Sequence, residues 1–127
     1  MAALSGELAA LPGREARLTW LVARGKSEPQ MPVTQRIEGN LVPGCLARLW
    51  LVSSQEAGCF YFQSASDSQI VQGLGTVLCE LANGSTRAEL QNTPAASLEP
   101  LHLERLLTSN RRDAANRLWE AIRACAR

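Results

Sequence analysis

Ile70, Leu74, Val77, Leu78 and Leu81 fall at i, i+4, i+7, i+8 and i+11, which puts an apolar stripe along one face of a helix starting near Asp67. Ser66 or Asp67 offers an amino cap for it, and Asn83-Gly84 offers a stop. Before this helix lie two segments dense in strand-favouring residues, Leu46 to Ser53 (LARLWLVS) and Cys59 to Ala65 (CFYFQSA). Turn-forming residues over Ser54 to Gly58 join them, so the pair is predicted to be a β-hairpin. Further upstream, Leu4 to Leu11 is a short apolar segment and Pro12-Gly13 breaks the chain. Arg14 to Arg24 reads as a helix with Leu18, Leu21 and Val22 on one side and Gly25 as its stop. Lys26 to Gln35, with Pro29 and Pro32, reads as a loop, and Arg36 to Val42 as a short extended segment.

Past the central helix, Thr86-x-x-Glu89 has capping-box spacing and opens a short helix that Pro94 stops. Leu98 to Leu107 is expected to form another helix. A last one runs from about Ser109 to Ala126, burying Ala115, Leu118, Trp119 and Ile122 and turning its arginines outward. Helix, hairpin, then several helices is the order of an α+β domain: a small antiparallel β-sheet packed against helices. With 127 residues and no repeat, the chain is expected to be a single domain, 1–127.

Charge narrows the choice of function. Thirteen Lys and Arg against twelve Asp and Glu leave the chain near neutrality, so no broad attraction to nucleic acid or to an anionic membrane is expected. No apolar run is long enough for a membrane span. Met1 to Leu11 has no basic residue ahead of its apolar stretch and is interrupted by Glu7, so a cytoplasmic location is expected rather than secretion. Cysteines stand at 45, 59, 79 and 125 with no C-x-x-C, and the single histidine is His102. That spacing argues against a metal site and, in the cytoplasm, for reduced thiols.

Asn40-Leu41-Val42-Pro43-Gly44-Cys45 leads into the first strand. Pro43-Gly44 is a turn dipeptide that sets Cys45 at a loop tip, where free backbone N–H groups can favour a thiolate. The competing reading is a small buried hydrophobe, as free cysteines often are. Cys59 within a strand and Cys79 beside the buried helix face read as structural, Cys125 as incidental, and His102 as a surface residue. Arg111, Arg112, Arg117, Arg123 and Arg127 are interrupted by Asp113 and Glu120, so they read as a solvated helix face or, alternatively, a docking surface for an acidic partner.

Three blocks in register resemble the SufE/CsdE sulfur-acceptor family: Asn40-x-Val42-x-Gly44-Cys45 with Trp50 following; Ser66-Asp67-Ser68 with Ile70-Val71-x-Gly73-Leu74; and Leu107-Thr108-x-x-Arg111. Two departures are Ala47, where the family usually has a small hydroxyl residue, and a short amino-terminal region. The resemblance implies a fold like that of the IscU scaffold proteins and a persulfide carried on Cys45. The donor would be a pyridoxal-phosphate-dependent cysteine desulfurase of the SufS/CsdA kind, which the protein would stimulate. The recipient would be an Fe–S scaffold such as SufBCD or another sulfur acceptor. The carrier would hold no cofactor of its own and would not itself be an enzyme. Gly44 and Asn40 belong to the reactive loop. Asp67 is either an amino cap or a support for that loop, Arg111 either a solvated residue or a partner of the loop or sulfur anion, and Trp50 a core or loop support.

Three alternatives make different demands. An IscU-type scaffold needs several convergent ligands. A cysteine hydrolase needs a base, for which only His102 is available. A non-catalytic desulfurase-binding module would work without Cys45. The reactive loop is also expected to move, because a sulfur shielded in transit has to be presented at the donor.

Overall fold

The computed structural model describes residues 7, 10–27, 29–45, 47–94 and 107–127. Most of the opening apolar segment, His102 and the helix expected over Leu98 to Leu107 lie outside these, apart from Leu107 itself, which is buried.

The hairpin forms with a register set by its turn. Strand β1, Leu49–Glu56, pairs antiparallel with β2, Cys59–Ser66, from Leu49 opposite Ser66 to Glu56 opposite Cys59. Two residues close it, Ala57 at φ 52° and Gly58 at φ 80°, the double positive φ of a type I′ turn that matches the twist of the strands. β1 therefore starts three residues later and ends three later than LARLWLVS suggested. The cause is upstream: the Val42 N–H donates to the Leu49 carbonyl at 2.8 Å, and Leu41 bridges Trp50. The chain between Val42 and Leu49 is thus a return loop rather than strand. A two-residue strand β3, Ser85–Thr86, pairs with the start of β2 and completes the order β1-β2-β3.

Helices cover one face of this sheet. Helix α1, Gly13–Ser27, runs through Gly25 instead of stopping there. Helix α2, Gln69–Ala82, is capped by Ser68, whose hydroxyl accepts from the Val71 N–H at 3.3 Å; neither Ser66 nor Asp67 is the cap. Leu74, Val77 and Leu78 are buried as the stripe predicts, while Ile70 and Leu81 are only half-buried. Val71, Gly73, Gly75, Thr76, Cys79 and Ala82 are buried as well, because α2 is enclosed by α1, β2 and the last helix. Arg24 of α1 and Glu80 of α2 close the contact with a two-pronged ion pair, Nε to Oε1 at 3.1 Å.

Thr86 and Glu89 make the expected capping box at the start of α3, Arg87–Gln91. The final helix α4, Ser109–Cys125, buries Ala114, Ala115, Leu118, Trp119 and Ile122, large side chains each contributing roughly 1.5–3 kcal/mol by leaving water. Polar bonds fix its rotation: Trp119 Nε1 donates to the Thr93 carbonyl at 2.8 Å, and Arg123 donates to the carbonyls of Leu90 and Gln91 at 3.1 and 2.9 Å. Arg123 is therefore half-buried and satisfies the end of α3, in contrast to the outward role expected of it. The opposite face of the sheet is covered by the irregular segment before Cys45, with one 3₁₀ turn at Val33–Gln35 inside the expected loop and another at Glu38–Asn40, where an extended run was predicted. Met31 packs there against Trp50 and Ala65. No helix among the described residues is long and apolar enough to cross a membrane.

Cys79 gives the fold a pH dependence. Burial pushes its thiol from the ordinary 9.0 up to about 12, Glu80 adding to the effect and the Ser64 hydroxyl opposing it. The unfolded chain sheds this proton above pH 9.0 and the folded chain only near 12, so stability is untouched below 9.0 and is lost as pH rises between the two values. The expected loss is about 1.4 kcal/mol per pH unit. Urea unfolding of the protein and its Cys79→Ala variant at about pH 8 and about pH 10.5 checks this, and equal alkaline losses in both would refute it.

Candidate functional site

The site is built around the return loop. Pro43 and Gly44 make the turn, with Gly44 at φ 83°, a backbone angle that glycine adopts without steric cost. Cys45 follows as a free, half-buried thiol packed against the edge of the main core. It is neither locked in the interior nor fully in water.

Both ends of the loop are pinned. On entry, Asn40 Nδ2 donates to the Gln35 carbonyl at 2.8 Å, and Leu41 and Val42 are held to β1. On exit, the Arg48 carbonyl accepts from Ser66 Oγ at 2.7 Å and the Asp67 N–H at 3.3 Å, while Arg48 Nε donates to Asp67 Oδ2 at 2.7 Å. Asp67 thus fastens the exit of the Cys45 loop. Trp50 supports the other side, 5% exposed, with the guanidinium groups of Arg36 and Arg48 at 5.8 and 5.3 Å from its ring centroid.

The charge that reaches the thiol comes from α4, and not from the arginine singled out in the sequence. Arg111 lies half-buried in the first turn of α4, its N–H on Thr108 Oγ1 at 3.4 Å. Arg117, two turns further on, lays its guanidinium against Gly44: a Cβ there would come within 2.6 Å of Cζ. Its Nε donates to Asp113 Oδ2 at 2.8 Å. Burial raises the Cys45 pKa above its ordinary value, the Arg117 charge pulls it down, and Asp113 pushes it up. The balance favours a protonated thiol at rest. Asp113 and Arg117 appear in the sequence only as an i, i+4 pair of the kind that usually lies in solvent. That pairing and a glycine before the cysteine were the available signals.

Beside the loop runs an open groove of about 790 Å³, with Val42 and Pro43 on one wall and Asp113, Arg117, Ala121 and Cys125 of α4 on the other. Cys125 is exposed, Cys59 half-buried and Cys79 buried. Among the described residues no three His, Cys, Asp or Glu side chains converge as a metal-holding set. Among the described residues, the charges that act on the Cys45 thiol are the Arg117 guanidinium and the Asp113 carboxylate, beside an apolar groove.

Known proteins resemble this chain over most of its length. The profile of the SufE family, described as the Fe-S metabolism associated domain, matches residues 2–126. The sulfur acceptor protein CsdE of Escherichia coli is 33% identical over 98% of this chain and 86% of its own. The chloroplastic quinolinate synthase of Oryza sativa is 31% identical over 77% of this chain, but only 14% of that much longer protein takes part. A solution structure of a hypothetical protein from Thermus thermophilus superposes with a TM-score of 0.76 at 18% identity, covering 95% of this chain and 88% of that one.

Proposed function

This chain belongs to the SufE family, and from that premise we propose that it accepts sulfane sulfur on Cys45 from a cysteine desulfurase, stimulates that enzyme, and delivers the sulfur to iron–sulfur cluster assembly. The observation that carries the reading is the position of Cys45, a free and partly accessible thiol on a loop tied down at both ends. A relative of 33% identity is named a sulfur acceptor, which supports the same role here.

The transfer is a thiol–disulfide exchange in form. The Cys45 thiolate attacks the outer sulfur of the donor's cysteine persulfide. A new S–S bond forms at Cys45 as the donor's S–S bond breaks, and the electron pair leaves on the donor thiolate. The sulfur changes carrier without a change in the number of S–S bonds, so no outside oxidant is needed. Pinning both ends of the loop limits the geometries Cys45 samples, which favours the in-line approach such an exchange needs. Partial burial keeps a carried persulfide from bulk reductants and oxidants. Pyridoxal phosphate belongs to the donor and iron to the recipient, a scaffold of the SufBCD kind or another acceptor.

The test is incubation with a cognate desulfurase, pyridoxal phosphate and cysteine, followed by peptide mass mapping. One extra sulfur on the Cys45 peptide and faster alanine release by the desulfurase are expected. A desulfurase that loads its own cysteine but leaves Cys45 bare would remove the proposal.

A further inference from the structure

Arg117 occupies the space that a side chain at residue 44 would need, yet it is bonded to Asp113 rather than to the loop. Its side chain is 46% exposed and that of Asp113 55%, so neither is fixed by the core. An exposed pair of this type adds little to stability and exchanges partners at little cost. Cys45 sits next to it, half-buried, where a negative charge is poorly hydrated and gains more from a nearby cation. Of the other charged groups near the loop among the described residues, Arg48 is paired with Asp67 and Glu120 of the same helix with Arg123, while Arg127 lines the groove beside Pro43.

We infer that Arg117 is the counter-cation of the sulfur anion at Cys45, and that Asp113 holds it in reserve while Cys45 is a neutral thiol. Arg117 is thus a positioning residue for the transfer. Its role toward the carried sulfur rests on the sulfur-carrier reading above; its role toward the thiolate does not. When Cys45 takes the outer sulfur of a donor persulfide, the departing donor thiolate takes up that sulfur's proton. The product is Cys45–S–S⁻, and its charge lies at the end of a longer arm than the thiolate. A guanidinium swinging from Asp113 meets that anion without opening the core. No electron transfer beyond the exchange is required.

The experiment measures the pH dependence of Cys45 alkylation by iodoacetamide, read on the Cys45 peptide. The protein is compared with Arg117→Gln, Arg117→Lys and Asp113→Asn, using Cys125 alkylation as an internal control. Arg117→Gln is expected to raise the midpoint and slow alkylation at about pH 8 by roughly three- to tenfold, a half to one pKa unit. Arg117→Lys should recover part of the rate. Asp113→Asn should lower the midpoint and speed alkylation, since it removes a competing anion. In a second arm, desulfurase-loaded Arg117→Gln should lose its persulfide sulfur several-fold faster than the unsubstituted protein. Superimposable profiles for the protein and Arg117→Gln would overturn the inference. If instead the unsubstituted protein never loads, the carrier reading fails while the alkylation series still decides whether Arg117 serves the thiolate.

Discussion

Replacing Cys45 by serine is expected to abolish sulfur acceptance, whereas replacing Cys59 or Cys125 should leave it intact. The serine hydroxyl matches the thiol in shape but has neither the acidity nor the polarisable sulfur that the exchange requires. The other thiols are placed differently. Cys59 lies in β2 opposite Glu56, held in the ladder of the sheet. Cys79 is 4% exposed and its pKa is pushed up to about 12, so almost none of it is thiolate at neutral pH. Cys125 is exposed and lines the same groove, but it sits at the end of α4, about two turns past the Arg117 that meets Gly44. The measurement is intact mass after incubation with a loaded desulfurase: one added sulfur in the unsubstituted protein, none in Cys45→Ser. Because Cys45 is packed only at the core's edge, the variant should melt within a few degrees of the parent. Retention of the added sulfur in Cys45→Ser would assign the acceptor to another thiol.

Much of this layout could be read from local pattern, and the errors share a cause. The hairpin, the α2 stripe, the Thr86–Glu89 box and the apolar face of α4 were legible because each depends on residues a few positions apart. Ser66 or Asp67 was the expected cap, and Ser68, which serves instead, is chemically as able. Which one serves depended on a partner outside the segment, since Arg48 takes Ser66 and Asp67 and leaves Ser68 for α2. Gly25 looked like a helix stop because a glycine needed for close packing and one needed for a left-handed cap are identical in sequence. Arg117 read as solvated because its visible partner was Asp113 one turn away; its contact with Gly44 joins parts of the chain that no short-range pattern links. Asp67, read as a cap or a loop support, is bonded to Arg48 at the loop's exit, and it is Arg117 that lies against Gly44 while Arg111 sits in the first turn of α4.

Replacing Gly73 by alanine should be the most damaging glycine-to-alanine substitution in the described helices. Gly73 faces Leu21 of α1 so closely that an added Cβ would overlap the Leu21 carbonyl and come within 3.2 Å of its Cα. Gly25 meets the same crossing from the other side, a Cβ there lying 2.9 Å from the Gly73 nitrogen. The obstruction in both cases includes backbone, which has no rotamer to escape into, so α1 and α2 would have to separate. Separation would loosen the packing of Leu21, 0% exposed, against the core. Overpacking of this kind costs typically 1–3 kcal/mol, and with rigid obstruction the upper end, about 3 kcal/mol, is expected. Alanine's better helix propensity returns about 1 kcal/mol at most. Gly84→Ala is the contrasting variant: no atom lies within 4 Å of its Cβ position, so only its φ of 82° is strained and about 1 kcal/mol should be lost. Urea unfolding of the two variants measures the difference. Equal midpoints would mean that the α1–α2 crossing yields more easily than its backbone contacts allow.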